Sequence, residues 1–163
     1  MAEAPAPASP APASRSGGLA IAAACDLRLC TADARFAMPI ARTVGNCLSM
    51  ANYARLLMHL GPARLSQLIF TAEPMLAPEA LARGFVVETL EPAALDAAVE
   101  ARCAQLEAMA PVTLAVTREA IRRIVRAVAA EGDDLVHRAY GSHDFHEGVA
   151  AFIARRRPRW EGR

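Results

Sequence analysis

The chain has 163 residues, enough for one domain with a substantial buried core. A hydrophobic share of 54% excludes a disordered composition. The balance of 18 basic against 17 acidic residues, net +1, argues against a general nucleic-acid or membrane-surface binder.

Residues 1–16 are mostly alanine and proline, so they are expected to be an extended, mobile leader that supplies no strand. At Gly17-Gly18 the composition changes, and a short helix is predicted from Gly18 to Cys25. A helix starting there aims free N–H groups and a partial positive charge at whatever lies in front of it, and so can polarise a carbonyl. A strand follows over Asp26–Cys30, then a loop over 31–44 in which Pro39 is expected to prevent regular helix. Leu48, Tyr53, Leu56, Leu57 and Leu60 mark a helix over 45–60. Gly61-Pro62 breaks it and opens another helix to about Thr71. A helix over Pro78–Arg83 stopped by Gly84 and a strand over Phe85–Leu90 come next.

The remainder reads as helical. One long helix begins near Pro92 and another at Pro111, and after a gap at 131–133 two segments follow over 135–140 and 142–156. There is no internal repeat. Two short strands among many helices make a poor sheet by themselves, so partners for both strands are expected to be missing. The four cysteines, Cys25, Cys30, Cys47 and Cys103, form no C-x-x-C pair, and no His/Cys grouping has zinc-finger spacing. They read as small hydrophobes in a reducing, cytoplasmic setting, with no metal site. No apolar run is long enough to span a bilayer, and no secretory signal begins the chain.

Several segments in order carry a resemblance. They are Gly17-Gly18, Ala22–Arg28 (AAACDLR), Ala34–Pro39 (ARFAMP), Leu57–Ala63 (LMHLGPA), Leu68–Ala72 (LIFTA), Pro78–Val86 (PEALARGFV) and His146–Pro158 (HEGVAAFIARRRP). Together they resemble the crotonase (enoyl-CoA hydratase/isomerase) superfamily over nearly everything from Gly17 to Trp160. The resemblance implies an α/β fold of ββα spiral turns, here a fragment with few short strands over 17–90. A helical C-terminal region over 91–163 used for trimerisation is also implied. A CoA thioester is then the substrate, with no covalently bound cofactor, and the assembly a homotrimer or hexamer. Catalysis runs through a thioester enolate held by two backbone N–H groups, and Gly17 lies where one of those donors belongs. An enolate oxygen gains most from fixed N–H dipoles in a dry site.

Two departures follow from the same comparison. Family hydratases place one glutamate two residues after the glycines and another directly after the proline of the Phe-x-x-Pro motif, whereas this chain has Ala20 and Ile40. Neither can transfer a proton, so the two-carboxylate hydration mechanism is not supported, nor is isomerisation by the second glutamate alone. The other departure is that roughly the first half of the fold would precede Gly17, so a truncated or split product is expected.

Other candidates are weighed against plainer roles. Asn46 could orient a water or carbonyl, and Cys47 could be a nucleophile if its pKa were lowered at a helix start. The plain reading makes Asn46 or Ser49 a helix cap. His143, Asp144, His146 and Glu147 form a polar cluster read as an exposed helix start capped by Ser142, and His59 and His137 are read as surface or boundary residues. Asp26 reads as a structural residue at a strand start. Arg155, Arg156, Arg157 and Arg159 form a solvated basic helix end. The resemblance adds that Phe152 could pack on a CoA adenine and Arg156 could reach a phosphate. Without the glutamates, the substrate's own carboxylate, a bound water or Asn46 would be the remaining proton-transfer agents. The alternatives are an inactive remnant, an assembly module, or an acyl-CoA-binding subunit completed by a partner chain.

Overall fold

The computed structural model describes residues 13–14 and 16–163. The expected mobile leader falls largely on residues 1–12 and 15, which lie outside the described residues. Its last part departs from expectation. Ala13–Ser14 (β1) pairs in parallel with Arg35–Phe36 (β3), which in turn pairs antiparallel with Met75–Leu76 (β4). Neither Ala13 nor Ser14 is proline, so both can take part in a ladder that the prolines upstream would interrupt.

The helix α1 spans Ser16–Ala24. After a bend at 25–27 the chain enters β2 (Leu29–Thr31), shorter than expected. Its partner is not missing. β2 pairs in parallel with β5 (Glu88–Leu90), with Cys30 opposite Thr89, and the ladder is extended by Val87 N–H to Arg28 O and Ala32 N–H to Leu90 O, both 2.9 Å. Local pattern had no access to this pairing, because the two strands lie on either side of an intervening helical crossover.

That crossover is α2 (Ile40–Thr43), α3 (Met50–Phe70) and α4 (Ala77–Ala82). The expectation that Pro39 prevents helix is corrected: Pro39 sits at the N-cap of α2, outside the part of a helix where its missing N–H matters. α3 starts later than expected, at Met50, and kinks at Gly61, whose φ of 72° only glycine adopts readily. Pro62 has no N–H to offer, and the nearby Leu60 carbonyl is met by Arg83 Nη1 at 3.3 Å.

One apolar cluster joins α1 (Leu19, Ala23), β3 (Phe36), Met38, Ile40, both halves of α3, and Phe85-Val86. Phe85, Leu19, Met38, Leu56, Leu68 and Met75 are fully buried, each contributing about 1.5–3 kcal/mol of burial. The second part is different in character. A 3₁₀ turn at Pro92–Ala94 leads into α5 (Leu95–Glu107), which buries no side chain, and α6 (Pro111–Val128), which buries only Val125. Val112, Val116, Ile121, Ile124 and Val128 remain exposed on α6.

α7 (Asp133–Tyr140) and α8 (His143–Ile153) close the chain. α8 ends earlier than expected because Arg155 adopts φ 51°, and Arg156 N–H then bonds back to Ala151 O at 3.0 Å. The α8 glycine, Gly148, allows the helix to touch the backbone of Val44. An added Cβ would stand 3.0 Å from Val44 Cα and closer still to its carbonyl.

Candidate functional site

Gly17 and Gly18 occupy the first turn of α1, where helical amides have no partner within the helix, and both are exposed. A Cβ at Gly17 would meet nothing within 4 Å among the described residues, and the helix presents its positive end there.

Ala20 and Ile40 take no part in acid–base chemistry. Ile40 is 3% exposed within the apolar cluster that also holds Leu19 and Ala23 on either side of Ala20. A carboxylate in the place of Ile40 would be buried, and the isoleucine instead contributes to the core.

The loop before α3 brings Asn46 and Cys47 to Tyr140 of α7. Asn46 Nδ2 donates to Tyr140 Oη, and Tyr140 Oη donates to the Cys47 carbonyl, each at 3.4 Å. Cys47 is not an activated thiol. Burial pushes its pKa up, outweighing a smaller opposing hydrogen bond from its backbone. The cap of α3 is Ser49, whose Oγ accepts Asn52 N–H at 3.4 Å. Asn46 is therefore not the cap.

Ser142 caps α8, accepting Phe145 N–H at 3.0 Å. The acids beside it are taken up by the C-terminal tail, a role the sequence did not suggest. Asp144 accepts the Glu161 and Gly162 amides at 2.7 and 2.9 Å, and these bonds hold its pKa below the usual range. Glu147 accepts both Nη groups of Arg156 and the Arg159 amide, which together take its pKa down to about 2. Arg156 is thus committed to an internal carboxylate, while Phe152 is exposed. His146 Nδ1 lies 2.8 Å from Ser142 O, and His143 and His137 are exposed.

Two further arrangements escaped the sequence reading. Arg28 donates to the carbonyls of Ala22, Cys25 and Phe85, and its guanidinium carbon lies 4.9 Å above the Phe85 ring. Arg64, 8% exposed, makes a two-pronged pair with Glu79, which also receives Arg83. Arg28 closes the matched segment AAACDLR, whereas Arg64 falls just beyond the matched LMHLGPA. Asp26 is in the bend before β2 and pairs with Arg118 Nε at 3.0 Å. Of the free cysteines, Cys30 is buried but Cys25 and Cys103 are exposed, so only part of the set behaves as core hydrophobes.

A cleft of about 500 Å³ lies between the end of α2, α7 and the tail, lined by Gly45, Leu135, Arg138, Asp144 and Trp160 among others. A second, of about 660 Å³, lies between the start of α3 and residues 130–136. Neither is lined by Gly17, Ala20 or Asn46.

Comparison with known proteins agrees with the motif order. The family model for enoyl-CoA hydratase/isomerase matches residues 12–163. A short-chain-enoyl-CoA hydratase of Clostridium acetobutylicum is 31% identical over 146 residues, covering 86% of this chain and 55% of that protein. A carnitinyl-CoA dehydratase of Proteus mirabilis is 30% identical over 155 residues, covering 90% and 59%. Methylmalonyl-CoA decarboxylase in complex with 2-nitronate-propionyl-CoA superposes with a TM-score of 0.84 at 25% identity, covering 93% of this chain and 60% of that one. The chain therefore spans somewhat under three fifths of the length of these curated relatives. With matched segments running in one order across almost the whole described chain, it belongs to the enoyl-CoA hydratase/isomerase family within the crotonase superfamily.

Proposed function

We propose that this chain handles acyl-CoA thioesters, with the Gly17 N–H as one of the donors that polarise the thioester oxygen. The observation carrying this reading is the pair of exposed glycines in the first turn of α1, on the segment that the family match covers. A fixed N–H at a helix start is worth most where charge develops on an oxygen during reaction.

The reaction itself departs from family hydration. With Ala20 and Ile40 in the places of the two acids, no side chain there accepts or delivers a proton, so turnover needs another base. Asn46, held by Tyr140, can orient a water or a substrate carboxylate but not take a proton from it at neutral pH. The ββα spiral, assembly as a trimer or hexamer through the C-terminal helices, and a cytoplasmic setting belong to the same proposal. So does CoA contact through Phe152 and Arg156, although for Arg156 a phosphate would compete with Glu147.

A second reading is a non-catalytic assembly module. It is favoured by α5 and α6, whose apolar residues find little to pack on among the described residues.

Titration with butyryl-CoA together with the mass of the assembly separates the two. Micromolar affinity supports thioester handling. A multimer without measurable affinity favours the assembly module, and a monomer without affinity removes both. Turnover of crotonyl-CoA to the hydrated product by this chain alone would overturn the reading of Ala20 and Ile40.

A further inference from the structure

We infer that Arg28 is a positioning residue for the thioester-binding end of α1, setting from the helix's C-terminus where the Gly17 amide points. The inference rests on the thioester reading of Gly17.

Arg28 follows α1 by four residues and turns back over its end. Nη1 donates to the carbonyls of Cys25 and of Ala22 (3.3 Å), the latter also accepting the Cys25 N–H, at the end of the helix that carries partial negative charge. Nε donates to the carbonyl of Phe85, a residue outside α1 altogether. The same guanidinium lies over the Phe85 ring, which is fully buried. That ring is met edge-on by Phe36 of β3 at 5.2 Å and by His59 of α3 at 5.6 Å. One half-buried side chain therefore ties the end of α1 to the approach of β5, to β3 and to the first half of α3.

The geometry makes orientation the main consequence. A nine-residue helix is about 13 Å long, so a tilt of about 10° at its C-terminus displaces Gly17 by roughly 2 Å. That exceeds the range over which an N–H to oxygen bond keeps its strength. Near its start, α1 buries Leu19 while Gly17, Gly18 and Ile21 are exposed, and β1 precedes it in the ladder with β3. Lysine does not replace Arg28: a single ammonium cannot lie flat on Phe85 while reaching carbonyls on both sides.

The test compares the full-length chain with Arg28→Lys in two measurements. Amide hydrogen exchange should quicken about tenfold or more over residues 17–24, with α4 and α8 little changed. Binding should be measured with butyryl-CoA and with S-butyl-CoA, the thioether that lacks the carbonyl. The thioester-to-thioether preference of the parent chain should be about fivefold, as one good N–H donor confers, and should shrink toward unity in Arg28→Lys with thioether affinity unchanged. Unaltered protection of α1, or faster exchange spread evenly over α1, α4 and α8, would overturn the inference. So would an unchanged preference. A parent chain that binds both ligands equally or neither refutes the thioester reading instead, and α1 exchange alone then decides whether Arg28 positions the helix.

Discussion

Arg64 donates through Nε and Nη2 to the two carboxylate oxygens of Glu79, at 2.7 and 2.9 Å, joining the second half of α3 to α4. Arg64 is 8% exposed whereas Glu79 is about one-third exposed, so losing the acid strands a buried cation. Glu79→Gln is expected to cost about 2–3 kcal/mol, below the full range for a buried pair because solvent reaches one partner. Its pH dependence has a definite sign. The hydrogen bond from Arg64, chiefly, holds the Glu79 carboxyl below its ordinary 4.5, so its contribution is complete above that value and is lost as pH falls toward the folded pKa. Denaturant midpoints should show a constant gap between parent and variant from roughly pH 5 to 8, narrowing in more acid solution. A gap that widens there would count against the ion pair.

Gly148→Ala sets two effects against each other. Alanine favours helix by up to about 1 kcal/mol over glycine. Here its Cβ would meet the Val44 backbone, which cannot move aside as a flexible side chain would. Overpacking of this kind costs about 1–3 kcal/mol, so the net change should be destabilising by about 1–2 kcal/mol. Urea unfolding decides it, and a stabilised variant would mean that α8 does not dock on Val44.

Arg155 holds a left-handed backbone at the end of α8 with a Cβ attached. Relief of that conformation is worth about 1–2 kcal/mol, and the greater freedom of glycine in the unfolded chain takes back about 0.5–1. Arg155→Gly should therefore raise the thermal midpoint by a few degrees. A lower midpoint would show that the arginine side chain makes a contact worth more than the strain.

The tail reports on itself through the single tryptophan. Trp160 stands against Gly45, with the ring 3.1 Å from a Cβ built there, and its neighbours Arg159 and Glu161 are held by Glu147 and Asp144. Both acids have lowered pKa values, Glu147 to about 2 from 4.5. Their hold is present above the ordinary carboxylate range and lost as pH falls through the folded values. Trp160 emission should shift to the red as the solution is taken from about pH 4.5 toward 2. Glu147→Gln should give part of that shift already at neutral pH. Emission that is insensitive in both experiments would place the tail elsewhere.

Much of this protein was legible in linear order. The apolar spacing and the Gly61-Pro62 interruption located the longer helices, though not α2, since helical period, glycine's positive φ and proline's missing N–H act within a few residues. The ordered motifs placed the chain in its family, and the proposal that Ala20 and Ile40 stand in the places of the usual acids rests on residue identities alone. Tertiary structure decided what depends on distant groups. Leu29–Thr31 found Glu88–Leu90, Arg28 found Phe85, Arg64 found Glu79, and Asp144 and Glu147 found the tail. A ladder or an ion pair is specified by which residues the packed core brings within about 3 Å, and no local period encodes that distance.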